Sequence, residues 1–290
     1  MNSISDIKQH LNSVTQTRQI TNAMYLLSTS RLKKALLNVD YNFQYMKSLR
    51  NTMNDILYVT KGAGIHNCFL DKDSRGTALF LSVMGDKGLC GDYNSAVAAF
   101  TMEKLRLKSE PLLYCFGRVG KEKLEAHGLT PDKVLSGSAM NPSMTLAREL
   151  TSQLLELYVS DRVNEVYIIF TPYRRDKREP VCMRLLPLLR HDFNDIKEDA
   201  EVPTELLYEP SAQEVFKHLV PLYCAGMIYD ILMQSAASEN AARMEAMQSA
   251  VSNADEMIKK LHSELNAVRQ LSITNEITEI AAAADIQGAV

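Results

Sequence analysis

Met247-Gln-Ser-Ala-Val251-Ser-Asn-Ala254-Asp-Glu-Met-Ile258-Lys-Lys-Leu261-His-Ser-Glu-Leu265-Asn-Ala-Val268 is the stretch that decides the fold. Its apolar positions alternate spacings of four and three, the heptad seam of a coiled coil. From Leu222 to Gln287 the only helix breaker is Gly226. At 1.5 Å per residue such a stretch predicts a rod of about 100 Å. The mean helix has only about 11–12 residues, so this segment must extend beyond an ordinary domain. Past Val268 the apolar set shifts to Ile273, Ile277 and Ile280, which takes the helix out of the pairing frame and toward an external partner.

A second rod is expected at the other end. From Met1 to Lys61 there is no Gly and no Pro. Leu32, Leu36, Val39, Phe43, Met46, Met53 and Leu57 keep the same rhythm, with Arg50 where an apolar residue belongs, and Ile7, Leu11 and Val14 form an earlier piece. Residues 1–50 carry seven Lys/Arg against Asp6 and Asp40, whereas residues 222–290 carry nine acids against Arg243, Lys259, Lys260 and Arg269. Opposite net charge favours pairing of the two rods over self-pairing. Each exposed pair adds only a few tenths of a kcal/mol, roughly 0.2–0.5. The apolar seam therefore has to supply the stability, and the long chain between the rods lets them run antiparallel.

Between the rods the period changes. Thr77–Met84 reads as a buried strand, followed by a Gly-punctuated loop and a helix over about Tyr93–Leu107. Pro111–Phe116 and Glu165–Phe170 are further strands, separated by helical stretches near Lys121–His127 and Ser143–Val159. That alternation predicts right-handed βαβ units on a mainly parallel sheet. Val181–Leu189 and Glu205–Tyr208 read as additional strands, with Tyr173–Glu179 and Asn194–Glu201 as polar loops.

Composition narrows the function classes. The 290 residues are 46% hydrophobic and 23% charged, with no Trp and 14 Met. These values are those of a globular chain, and the Met-rich, Ala-rich pattern suits long helices with adaptable packing faces. A net charge of −3 lacks the basic excess of a dedicated nucleic-acid binder. The sequence shows no uninterrupted apolar run of about 18 residues and no signal-type h-region at its start, so a soluble, non-secreted chain is expected. Cys68, Cys90, Cys115, Cys182 and Cys224 form no CxxC pair and read as core thiols of a reducing compartment.

The catalytic possibilities fail one by one. Asp86-Lys-Gly-Leu-Cys-Gly91 lacks the Lys-Ser/Thr that completes a phosphate loop, and Phe116-Gly-Arg-Val-Gly-Lys121 has the wrong spacing. Cys90 has no recognisable base partner. His10, His66, His127, His191, His218 and His262 are scattered without metal-ligand spacing. Asp255 and Glu256 are adjacent on a helix and point in different directions. Tyr173–Glu179 mixes charge signs and reads as a solvated hairpin tip rather than a nucleic-acid patch.

Several motifs are specific in combination. Thr17-Arg-Gln-Ile-Thr-Asn-Ala-Met24 and Arg31-Leu-Lys-Lys-Ala35 open the chain; Ser238-Glu239, Ala242-Arg-Met-Glu-Ala-Met247, Asn253–Ile258, Asn266–Gln270 and Ile273–Ile280 close it in order. Together with the Asp86–Gly91 loop and Asn94, this set resembles the gamma subunit of F-type ATP synthases. The sequence departs from that family's pattern at Arg31, commonly Lys, at Asp92, commonly Gly, and at Ala281–Ala284, where the family's tail contains Gly. Alanine stiffens a helix by up to about 1 kcal/mol for each Gly replaced. The cysteine-bearing insertion of the chloroplast version is missing, so thiol regulation is not expected.

The resemblance implies an α/β protein: a long antiparallel two-helix coiled coil of the N- and C-terminal helices plus a central Rossmann-like α/β domain. The expected division is a coiled-coil helix over 1–61, the α/β domain over 62–209 and a coiled-coil helix over 210–290. It further implies a non-catalytic rotor without cofactor or metal. Implied partners are the alpha and beta subunits of the catalytic ring, the epsilon subunit and the c-subunit ring, with no nucleic acid and only indirect membrane association. A peripheral place on the cytoplasmic side of a bacterial cell membrane follows, since no transit peptide is read ahead of Met1. Met24, Arg31, Lys33 and Lys34 resemble the surface that meets the acidic loop of the beta subunits. Arg243, Arg269, Gln270 and Thr274 resemble the upper contacts. Two rival readings are a non-rotary scaffold of the same ancestry and a nucleotide-dependent α/β enzyme with helical arms.

Overall fold

The computed structural model describes residues 3–60, 68–70, 76–135, 142–174, 177–190, 192–193 and 208–288, the last eight as backbone only. The order of elements is α1 (Ile4–Val59), β1 (Ala78–Val83), α2 (Tyr93–Leu105), β2 (Leu112–Phe116), α3 (Arg118–Ala126), β3 (Lys133–Leu135), α4 (Met144–Val159), β4 (Glu165–Phe170), β5 (Val181–Leu186) and α5 (Ala212–Gly288). The chain divides into two compact units, Met1–Ser28 with Arg243–Val290, and Thr29–Ala242.

In the first unit α1 begins at a reciprocal cap: the Ser3 hydroxyl accepts from the Asp6 amide at 3.2 Å and the Asp6 carboxylate accepts from the Ser3 amide at 3.1 Å. The beginning of α1 then packs on α5 through Ile7, Leu261 and Leu265, with Ile4, Leu11, Val14 and Val268 against them. Further along α1, Arg18 pairs with Asp255 at 2.5 Å. Rising numbers on α1 meet falling numbers on α5, so the pair is antiparallel. All seven seam positions from Met247 to Val268 are buried or half-buried.

The second unit is built on a five-stranded sheet of order β3-β2-β1-β4-β5. The pairs β1–β2, β1–β4 and β2–β3 are parallel, and β5 runs antiparallel to β4 at the edge. Along β1 and β4 successive side chains serve opposite faces. Leu79, Leu81, Val83, Val166, Ile168 and Phe170 join one core with Met53, Ile56, Phe216 and Ile228 of α1 and α5. Ala78, Phe80 and Ile169 join a second core with Val97, Ala98 and Leu124 of α2 and α3. Both faces are covered, which is why these strands read as continuous apolar runs. Inside the second core the Ser82 and Thr101 hydroxyls bond each other at 3.0 Å.

Several expectations change here. Phe43, placed in the α1 seam, is 61% exposed, and Asn42 is buried in its place. The Asn42 amide donates to the Gly226 carbonyl at 3.2 Å, so the close backbone approach at Gly226 selects a small polar residue there. Arg50 does not break the seam, because its guanidinium turns aside to the Asp192 carbonyl. Helix α5 starts at Ala212, with the Ser211 hydroxyl accepting from the Glu214 amide at 3.2 Å, and continues through Pro221. An internal proline costs about 3 kcal/mol; burial of Phe216, Val220, Cys224 and Ile228 on both sides of it holds the helix together.

The short β3 was not foreseen. The expected strand over Glu205–Tyr208 and the loop Asn194–Glu201 lie outside the described residues, apart from Tyr208. Among the described residues one helix is long and apolar enough by composition to cross a membrane, with an 18-residue window of mean hydropathy 1.3 inside Ala212–Ile280. Half of that window is buried within the protein, so core packing accounts for its apolarity.

Candidate functional site

The Gly-punctuated loop after β1 is held by hydrogen bonds to α2 and α3. The Gly85 amide donates to Asn94 Oδ1 at 2.8 Å, and the Asp86 carboxylate accepts from the Arg118 amide at the start of α3 at 3.1 Å. Those bonds occupy two backbone amides of the kind that bind an anion at a helix start. Leu89 and Gly91 take the left-handed conformation, with φ of 61° and 59°, and make the tight turn. Cys90 is buried; its thiol lies 3.8 Å from the Lys87 carbonyl and takes a contact from Asn94 Nδ2 at 3.4 Å.

That loop docks on α5. Tyr93 donates to the Ser235 carbonyl at 3.3 Å, and Cys90 and Tyr93 pack on Ala242. A Cβ at Gly85 would come within 2.8 Å of the Glu239 carboxylate. Ser235, Ser238, Glu239 and Asn240 are all buried, interleaved with Ala236, Ala237, Ala241 and Ala242. A helix covered on every side needs small residues, and the run from Ser235 to Ala242 supplies them. This polar band was not assigned a structural role from sequence; the readable signal was the cluster of Ala and Ser around a single Glu.

Burial pushes the Cys115 and Cys224 thiols up to about 12, so both stay protonated at neutral pH. Among the described residues no group of three or more His, Cys, Asp or Glu could hold a metal ion.

The residues picked out as partner contacts fall in both units. In the first, Met24 is half-buried and its carbonyl accepts from the Ser28 hydroxyl at 2.8 Å. Arg243 is buried, at 4% exposure. Arg269, Gln270 and Thr274 are exposed on consecutive turns of α5, where the Thr274 hydroxyl donates to the Gln270 carbonyl at 2.8 Å. Beyond the seam Ile273, Ile277 and Ile280 are between 52% and 69% exposed, an apolar stripe on one face of the helix, and Leu271 is exposed on another face. In the second unit Lys33 and Lys34 are exposed and Arg31 is half-buried.

Residues 3–286 match the family model described as ATP synthase. The ATP synthase gamma chain of Caldanaerobacter subterraneus subsp. tengcongensis is 37% identical, covering 97% of this chain and 99% of that one. The chain belongs to the ATP synthase gamma-chain family. The gamma chain of Acetivibrio thermocellus is 35% identical, over 97% of this chain and 98% of the relative. A chain from the Euglena gracilis mitochondrial ATP synthase, in its OSCP/F1/c-ring assembly, shares the fold, with a TM-score of 0.68 at 13% identity over 99% of this chain and 95% of that one. As a gamma chain it is a non-catalytic subunit of an ATP synthase, which accounts for a fold rich in helix packing and poor in reactive groups.

Proposed function

We propose that the chain is the rotating shaft of the central stalk, coupling ion flow through a membrane-embedded ring of c subunits to the nucleotide affinities of a ring of alpha and beta subunits. The observation that carries this is the exposed stripe Ile273, Ile277 and Ile280, which continues α5 past its paired seam. An apolar helix end left exposed among the described residues calls for a surrounding apolar surface. A subunit without chemistry of its own changes catalysis by contacting one orientation of the ring differently from another, and such coupling is reciprocal between rotation and nucleotide binding. Each charge crossing the membrane delivers about 2.3 kcal/mol per 100 mV, so several ions must be pooled per ATP, and a stiff shaft is a means of pooling.

In this reading residues 1–61 and 210–290 form the shaft and residues 62–209 the foot, which meets the epsilon subunit and the c ring. Met24, Arg31, Lys33 and Lys34 face the acidic loop of the beta subunits, and Arg269, Gln270 and Thr274 make the upper contacts; Arg243, expected among them, is buried at 4% exposure and supports that region from within. The complex is membrane-bound, and we place this subunit at its periphery on the cytoplasmic side of a bacterial cell membrane. The test is to tag the chain, recover it from gently solubilised native membranes, and examine the product by native gel and ATPase assay. The expected outcome is a complex of several subunits that hydrolyses ATP. Recovery of the chain alone, or with unrelated proteins and no ATPase activity, would replace the rotor with a scaffold.

A further inference from the structure

The order β3-β2-β1-β4-β5 makes the sheet reverse its winding at β1. From β1 the chain passes through α2 to β2 on one side, while β4, on the other side, is reached through α4. Helices α2 and α3 pack on one face of the sheet and α4 on the other. A parallel pair whose connections leave in opposite directions opens a crevice beyond its carboxyl ends, and α/β domains bind nucleotides and other ligands there. In this chain that crevice is bounded by Gly85, two residues past β1, and by the buried Thr171 after β4. Helix α2 starts close by at Tyr93, and its N-cap residue Asp92 makes no side-chain cap bond, so the electropositive helix end lies at the same end of the sheet.

The crevice is filled from within. Helix α5 runs past it, with Tyr93 donating to the Ser235 carbonyl at 3.3 Å, and Glu239, 1% exposed, lays its carboxylate on Gly85. A Cβ on Gly85 would stand 2.8 Å from both Cδ and Oε1 of Glu239 and 3.1 Å from Oε2. The whole carboxylate group therefore faces the loop. A carboxylate taken out of water persists only where its surroundings answer its charge. An apolar side chain would fill the same space without that cost, so packing alone does not account for a glutamate here.

We propose that Glu239 is a built-in anionic ligand: its carboxylate takes the place that a bound phosphate or carboxylate holds at the switch point of an open α/β sheet, closing the crevice to nucleotides and fastening the β1–α2 loop to α5. This role stands apart from the stalk assignment, and its test needs only the full chain by itself.

Glu239→Ala removes Cγ, Cδ and both carboxylate oxygens, the heavy-atom skeleton of acetate, and a cavity left by truncation admits a molecule of matching shape. The folding constant is read from urea unfolding in acetate, in its neutral isostere acetamide, and in chloride, with ionic strength held constant. Glu239→Ala should lower that constant about tenfold or more. Acetate at about 100 mM should recover roughly tenfold in the variant, the gain from a ligand with a Kd of about 10 mM, while acetamide and chloride recover none and the parent chain does not respond. Gly85→Ala should destabilise the parent, because its Cβ meets the carboxylate, and be tolerated in the Glu239→Ala background. Glu239→Gln keeps the shape without the charge and carries the test if the alanine variant does not fold; it too should lower the folding constant about tenfold. No rescue by acetate, equal rescue by acetamide, the same gain in the parent, or a Glu239→Gln chain as stable as the parent would each overturn the proposal and leave Glu239 a packing residue.

Discussion

At Gly226 α5 approaches α1 closely, and replacing it sets two effects of known sign against each other. Glycine inside a helix costs about 0.5–1 kcal/mol relative to alanine, so Gly226→Ala should stabilise an unpacked helix by that amount. In the fold, a Cβ at Gly226 would sit 2.2 Å from Met46 Sδ and 3.5 Å from Met46 Cε and Tyr45 Cε1. Ordinary contact needs about 3.5–4.0 Å, so the sulfur would have to retreat by more than about 1 Å. Met46 is only 7% exposed and belongs to the main core, and overpacking such a site costs about 1–3 kcal/mol. Parting the helices would stretch the Asn42 to Gly226 hydrogen bond, worth about 0.5–1.5 kcal/mol. The sum predicts destabilisation by about 1–2 kcal/mol. With Met46→Ala in the background the obstacle is gone, and Gly226→Ala should become stabilising by up to about 1 kcal/mol. Urea unfolding of the four proteins in that cycle reads the sign directly. A stabilising effect in the parent background, or the same effect in both, would refute the close-approach argument.

Four further outcomes follow from other parts of the structure. The Arg18–Asp255 pair is 37% and 44% exposed, so a double-mutant cycle with Arg18→Ala and Asp255→Ala should give a coupling below about 1 kcal/mol that fades with salt. Leu261→Ala should cost about 2 kcal/mol or more in thermal or urea unfolding, and comparable losses from the two perturbations would mean that charge and not the seam holds the first unit together. Cys115 and Cys224 ionise at 9.0 when exposed but only at about 12 in the fold. Deprotonation therefore favours the unfolded chain as pH rises above 9, by roughly 1 kcal/mol per thiol at pH 10. Unfolding midpoints measured from pH 8 to 11 should fall, and Cys115→Ala with Cys224→Ala should flatten the slope; an unchanged slope would place the titration elsewhere. Arg269→Ala with Gln270→Ala should lower the ATPase activity of the assembled complex while assembly persists, and unchanged activity would remove these residues from the coupling contact.

The elements that read most clearly were those whose burial is set by short-range repetition. The seam from Met247 to Val268 is inward at every position because two paired helices impose one period on the sequence. Strands β1, β2 and β4 stood out as apolar runs because helices cover both sheet faces. By contrast, β3 is a three-residue edge strand with only Leu135 buried, so no run marked it. Helix α3 begins at Arg118, ahead of its expected start, because Gly117, at φ 110°, turns the chain directly out of β2.

Sequence by itself determined that two long helices flank an α/β sheet, that the chain carries no recognisable catalytic apparatus, and which family it resembles, since periodicity, missing breakers and ordered motifs are properties of neighbouring residues. Tertiary structure alone decided that Asn42 and not Phe43 faces α5, and that Glu239 lies against Gly85. Those facts join residues more than a hundred positions apart in the chain, or depend on how closely two backbones approach. Local pattern carries no record of such distances, because they are set by the volumes of side chains that meet only after folding.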